Sequence, residues 1–270
     1  PTADGGREVQ PFQVELRTDA PKLTPGRDLV IVHKDDDLVI IWKPSGMLSV
    51  PAGKAGGHLN ALGLTSKLLR SPTLPVHRID QATSGLMMMA RNEGAQLALK
   101  AQLENHDVER KYIAFVLGKP PEKSWRVDSH LLEDRGDGLR GSCEGPPPKN
   151  TKRAITNFMH LERLNRRINL VEARLKTGRT HQVRIHLSEN DMPILGDTRY
   201  APTGAQRLAP RLCLHAVVLG IQHPTSGDIM RFTSPLPDDM ERLRRGLIHE
   251  VKNPVRKRIK SKIPKKRRKK

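Results

Sequence analysis

Aromatic residues are nearly missing from this chain: its 270 residues include two Trp, two Tyr and four Phe. A surface that stacks successive bases needs several exposed rings, so multi-base stacking is excluded as the main mode of recognition. Cysteine is equally scarce. Cys143 and Cys213 stand far apart with no zinc-type spacing, which argues against a disulfide framework or a Cys-ligated metal and fits a reducing compartment. No apolar run approaches the ~20 residues that cross a bilayer. Phosphate-loop, dinucleotide and nucleophile-elbow signatures are absent. The histidines are scattered, and His181 and His186, five apart, make a poor helical pair for one ion. No cofactor and no metal are expected.

Positive charge is abundant. Lys and Arg number 48 against 29 acids, a net charge of +19, which points to a polyanionic partner. The charge is uneven: residues 251–270 hold 12 Lys/Arg and no acid, leaving +7 on the other 250. Val251, Val255, Ile259 and Ile263 recur every four residues there, in a run that also holds two prolines. That is thin support for a membrane surface and suits a short helix on a nucleic acid, with the cations on phosphates. The same run also fits a nuclear signal. A cytoplasmic location is expected; the missing initial Met leaves a removed targeting segment, and a mitochondrial or nuclear site, open.

Three regions emerge: an arm at 1–27, a body at 28–240, and a basic tail at 241–270, disordered without its polyanionic partner. "DLVIVH" and "DLVIIWK" (28–33 and 37–43) read as paired strands, followed by a "KPSGM" turn. A helix is predicted over 58–70 with Leu59, Leu62 and Leu69 inward. "GLMMMA" reads as a buried strand rather than a Met-lined ligand site. Asn92 caps a helix reaching about His106, with Ala95, Leu99 and Leu103 on one face. "KYIAFVL" is a strand, 133–152 a surface loop, and "INLVEARLK" a half-buried alternating strand. Thr180 is placed to cap a further helix, and two more strands close the body. The fold class is α+β, built on a largely antiparallel mixed sheet with flanking helices.

Asp80, Tyr112 and the group Arg179, His181 and Arg184 remain as candidates for chemistry. Singly, each has a plain explanation: an Asp after a strand caps a turn, a Tyr in a strand packs in the core, an Arg at a helix start is solvated. Together they resemble something specific. "HRIDQATSGLMMMA" resembles the "HRLD…TSGLLL" motif of the RluA family of pseudouridine synthases. "DDDLVIIWKPSGMLSVPAG", "RKYIAFVLG", "TGRTHQVRIHL", "PILGDTRYA" and "LHAVVLGIQHP" are similar to further motifs of that family, in the same order, over about residues 28–240. The resemblance leans to the branch without a separate S4 RNA-binding domain.

The resemblance implies an isomerase that converts uridine in RNA to pseudouridine, with a central cleft. Carboxylates, ionised at neutral pH, serve as nucleophile or base, and Asp80 is implied to be that group. Whether it attacks C1′ or C6, or takes a ribose proton, stays open. Tyr112 matches the active-site tyrosine. Arg179 matches the basic residue paired with the catalytic Asp, just before the Thr180 cap, where helix N–H groups favour an anion. His77, Arg78, Thr83, His181 and Arg184 are taken as RNA-binding. Arg78 either fills the place of the flipped base or meets a phosphate. The implied partner is a stem-loop of rRNA or tRNA, and the protein is expected to be a monomer. A catalytically idle RNA-binding factor of ribosome assembly is the alternative.

Overall fold

A segment with no polar side chain has to be covered on both faces. In the computed structural model, which describes residues 12–15, 28–51 and 59–252, the run around Met87–Met89 meets that demand. The chain forms β1 (Phe12–Glu15), β2 (Val30–Lys34), β3 (Leu38–Lys43), α1 (Ala61–Leu69), β4 (Leu74–Pro75), β5 (Ser84–Ala90), α2 (Glu93–Glu104), β6 (Glu109–Leu117) and β7 (Ser124–Leu132). It continues through β8 (Gly141–Ser142), β9 (Lys152–Arg163), β10 (Ile168–Leu175), α3 (Gln182–Glu189), α4 (Thr203–Gln206), β11 (Leu214–Gln222), β12 (Ile229–Thr233) and α5 (Asp238–Lys252). All seven residues of β5 are buried. Met87 and Met89 enter one core with Val39 and Ile41, while Leu86 and Met88 enter a second core with Leu38 and Ile40. Each such side chain contributes roughly 1.5–3 kcal/mol of burial.

One mixed sheet runs β2-β3-β5-β11-β6-β10-β9-β7-β8. Among the described strands only β1 with β12 and β5 with β11 pair in parallel. Strand β11 is shared: His215 and Ala216 pair with β5, whereas Val218 to Gln222 pair with β12. The registers set Gly85, Ala216, Tyr112 and Ala173 side by side across four strands. Small neighbours therefore flank Tyr112. Gly85 has φ +116, and a Cβ there would lie 2.3 Å from the Ala216 carbonyl oxygen, so only glycine lets β5 and β11 meet.

Several boundaries differ from expectation. The arm is not wholly outside the domain, because β1 pairs with β12. The tail does not begin at 241: α5 continues to Lys252, and Met240, Leu243 and Leu247 pack on the main core. Charge hid that apolar stripe. The rest of the basic tail lies outside the described residues. Helix α1 starts at Ala61, because the Asn60 side chain accepts the Gly63 N–H and caps it; Leu59 precedes the cap and is exposed. Helix α2 follows the Asn92 cap as expected. Strand β10 is buried on both faces from Ile168 to Val171, so its alternation is only partial.

Lys43 ends β3 fully buried, and its Nζ donates to the carbonyls of Pro44 (2.9 Å), Met47 (2.8 Å) and Gln81 (3.1 Å). Burial pulls its pKa down to about 7, with the Asp80 charge opposing. The three bonds tie the turn after β3 to the segment beside Asp80. Lys43→Met leaves those carbonyls without this donor and should cost about 2–4 kcal/mol. Urea unfolding measures it; an unchanged midpoint would refute the tie.

Candidate active site

Asp80 lies in the turn ahead of β5, and its neighbours are fixed by the segment that follows β3. Ser49 Oγ donates to the Ile79 carbonyl (2.6 Å), and Ser45 Oγ to that of Ala82 (2.6 Å). The Gly46 N–H reaches the Gln81 carbonyl (2.8 Å), which Lys43 also holds. The Thr83 N–H closes the turn on the Asp80 carbonyl (3.0 Å). The charged cluster thus abuts the apolar strand because the strand and the 43–49 turn together immobilise the carboxylate.

The cation beside that carboxylate is Arg184. Its Nη1 donates to Asp80 Oδ2 at 3.2 Å, while Nε and Nη2 grip both oxygens of Asp197 at 2.8 Å each. Tyr200 lies under the guanidinium, its ring centre 5.0 Å away. Burial opposes the Arg184 charge, but Asp197 and Asp80 offset it and hold the pKa above its ordinary value. Asp197 is buried too; Arg184 and the N–H groups of Arg199 and Tyr200 outweigh that burial and keep its carboxyl below the usual range. His181 stands nearby, with Nδ1 2.8 Å from the Tyr200 hydroxyl and Nε2 4.0 Å from Asp80 Oδ1.

This corrects the expectation for Arg179. That residue is exposed, and its Nε donates to the Arg153 carbonyl at 3.0 Å. The reason is local. Gln182 Oε1 accepts from the Arg179 N–H and the Thr177 hydroxyl, which holds 177–181 as a turn and delays the helix. Thr180 is accordingly no cap: α3 begins at Gln182, after His181 in a left-handed conformation (φ 60) with no side-chain cap bond. On α3, Gln182 and His186 are pinned to Thr156 of β9, and Arg184 points to the carboxylates.

A cleft of about 490 Å³ opens beside Asp80, lined by Arg78, Thr83, Tyr112, Arg179, His181 and Arg184 among others. Burial pushes the Tyr112 phenol up to about 12, with Arg110 opposing. The Thr83 hydroxyl is buried without a partner among the described residues. His77, expected to bind RNA, lines the same cleft. Its Nε2 accepts the Met88 N–H at 3.1 Å, and burial lowers its pKa to about 3, so the ring is neutral and braces β5. Arg78 is exposed and also lines a second hollow on the other side of Asp80.

The sequence reading missed Lys43, Asp197 and Tyr200. Their signals were a lysine ending an apolar strand, and an Asp and a Tyr three apart in "GDTRY". Asp35, Asp37 and His223 form a group whose ligand atoms lie close enough for one metal ion. However, His223 Nδ1 accepts the N–H groups of Thr225 and Ser226. That puts its proton on Nε2, facing Asp35 at 3.4 Å, and completes the network with hydrogen bonds alone.

Asp197→Asn should lower stability at neutral pH by about 3 kcal/mol, because Arg184 loses its buried counter-charge. A carboxyl held below its ordinary value of 3.8 stabilises the fold above about pH 4, and the benefit is lost as pH falls through the folded value. The variant should therefore lose less stability than wild type on acidification below about pH 4. Chemical denaturation at several pH values checks this; parallel curves would contradict it.

Residues 37–189 match the family described as RNA pseudouridylate synthase. The chain is 36% identical over 263 residues to ribosomal large subunit pseudouridine synthase D of Xanthomonas campestris, covering 90% of this chain and 76% of the relative. It is 35% identical over 214 residues to dual-specificity RNA pseudouridine synthase RluA of Escherichia coli (strain K12), covering 77% and 93%. Among solved structures, human RNA pseudouridylate synthase domain containing 4 superposes with a TM-score of 0.65 at 25% identity, covering 81% of this chain and 92% of that one. With the matched segment running from the strand before Lys43 through the helix that carries Arg184, the chain belongs to the RNA pseudouridylate synthase family, on its RluA-type branch.

Proposed function

We propose that Asp80 is the catalytic carboxylate with which this chain isomerises a uridine in a folded stem-loop of ribosomal RNA. One observation carries the assignment: Asp80 is the carboxylate in the cleft that a buried arginine, itself neutralised by Asp197, holds in place. The RNA class follows the ribosomal relative's name and the shortage of rings for stacking.

The reaction rearranges atoms without adding any. The N1–C1′ bond breaks and its electrons stay on the uracil. The uracil turns, C5 bonds to C1′, the C5 proton leaves and N1 gains a proton. Both routes to bond breaking, attack by carboxylate and removal of a ribose proton, start from an Asp80 oxygen. Tyr112 offers a ring to pack on the uracil and a hydroxyl for the C5 proton. The unpaired Thr83 hydroxyl is assigned to a polar edge of the base. A paired or stacked uridine is out of reach of this cleft and has to flip. Arg78, exposed beside Asp80 on the border of two hollows, is placed to brace the vacated position. An idle assembly factor is disfavoured, since Asp80, Arg184 and Tyr112 form a complete set.

Asp80→Asn should abolish pseudouridine formation in ribosomal RNA while RNA affinity stays close to wild type. Arg184→Lys should keep part of the activity, because a charge remains without the planar fork. Arg184→Met should lose about a hundredfold or more through misplacement of Asp80. Site-resolved pseudouridine mapping reads all three; product from Asp80→Asn would overturn the assignment.

The basic run beyond Lys252 is proposed to tether RNA by charge alone. If about five of its cations meet phosphates, at a slope near −0.7 each, it accounts for roughly a hundredfold loss of affinity between ~50 and ~200 mM salt. A chain ending at residue 252 should bind with a flatter salt dependence and modify the same uridine. An altered target, or an unchanged slope, would count against tethering.

A further inference from the structure

Buried Lys43 donates to three carbonyls, while Arg184 pairs with Asp197 and Asp80, and the largely covered Arg211 pairs with Asp239. Arg110 has no such set of partners. It is 8% exposed, and its one hydrogen bond among the described residues is a long contact from Nη2 to the Lys176 carbonyl (3.4 Å). Its Nε is buried without a partner. The groups that act on its charge are the Tyr112 hydroxyl and a like charge, Arg179. An uncompensated guanidinium in the interior costs stability that an apolar side chain would not.

The surroundings are built to keep it there. A Cβ on Gly178 would lie 2.5 Å from Arg110 Nη1. Gly178 does not have a left-handed φ, and the atom it faces is the free end of a flexible side chain, so an added Cβ would displace the guanidinium rather than the backbone. Arg110 also stands on the wall between two hollows. One is the Asp80 cleft, which it lines with Arg179; the other, about 370 Å³, is lined by Lys111, Arg174 and Lys176 as well. A nucleotide whose base enters the cleft trails its phosphates outward, and on this side Arg110, Lys111, Arg174 and Lys176 offer cations, with Asp107 and Glu109 on the same wall and Lys111 paired to Glu109 at 2.9 Å.

We propose that Arg110, with Arg179 beside it, binds a backbone phosphate of the nucleotide flanking the flipped uridine, and that the RNA strand leaves the cleft over Lys176 and Arg174. The inference rests on the RNA-substrate reading and adds an anion subsite to it. The phosphate supplies the counter-charge that the free protein lacks. Because Arg110 reads charge, the subsite fixes the strand's path past Tyr112 and is indifferent to the neighbouring base.

The test uses the full chain with two probes, a large-subunit ribosomal RNA transcript and uridine 3′,5′-bisphosphate, with uridine as the neutral control. Arg110→Gln should weaken transcript binding between about tenfold and a hundredfold, as loss of a charge-assisted contact does. It should also reduce the slope of log affinity against log salt by about 0.7, one phosphate contact. Arg110→Lys should restore most of that slope. Gly178→Ala keeps the arginine but displaces its guanidinium, and should weaken the bisphosphate while leaving uridine unchanged. If Arg110→Gln does not fold, Arg110→Lys and Gly178→Ala decide between them. A salt slope unchanged in the folded variants, or equal losses for bisphosphate and uridine, would overturn the subsite. So would a shifted pH–rate profile with unchanged slope, which would make Arg110 a partner of Tyr112 instead. Binding is read without turnover, so an unmodified transcript would count against the activity and not against the phosphate site.

Discussion

The site depends on one buried chain of charge, from Asp197 through Arg184 to Asp80. Its geometry is asymmetric. Two short bonds commit Arg184 to Asp197, and a single longer one reaches Asp80. An arginine held from behind can neutralise the Asp80 carboxylate without enclosing it, which leaves one of its oxygens open to the cleft. The fold supplies both ends: a turn stitched to the 43–49 segment carries Asp80, and α3, seated on β9 through Gln182 and His186, carries Arg184.

Much of this was legible in the residues. The buried strand at Met87–Met89 and the Asn92 cap follow from local pattern, and the Asp80 and Tyr112 positions from motif order; the structure sets the last two in one cleft. What failed is what local pattern does not encode. Arg179 and Arg184 lie in one short polar stretch, and which of them reaches Asp80 depends on where α3 starts. That start is set by Gln182 accepting from backbone and side chain upstream, a contact with no signature in composition. Asp197 and Lys43 were missed for a related reason: a buried charge is recognised by its partners, and which groups turn inward to meet it is set by the fold.

The tail shows the opposite error. Its charge dominated the reading and moved the domain boundary too early, although Met240, Leu243 and Leu247 already form the apolar stripe of α5. Arg110, within "RKYIAFVLG", drew no reading of its own from the sequence. Only its burial and its lack of a carboxylate mark it out.

The shared strand β11 has a consequence in time. Asp80 finds its arginine 104 positions later, and Ser84, at the head of β5, bonds to His215 across 131 positions. Pairings this distant form slowly, since a long loop must close before any contact rewards it. A nascent chain has made its carboxylate long before it has made the arginine or the strand that orients it. Catalytic competence therefore arrives only when the last third of the polypeptide has been synthesised and docked, and an incomplete chain meeting RNA holds charge without a working cleft.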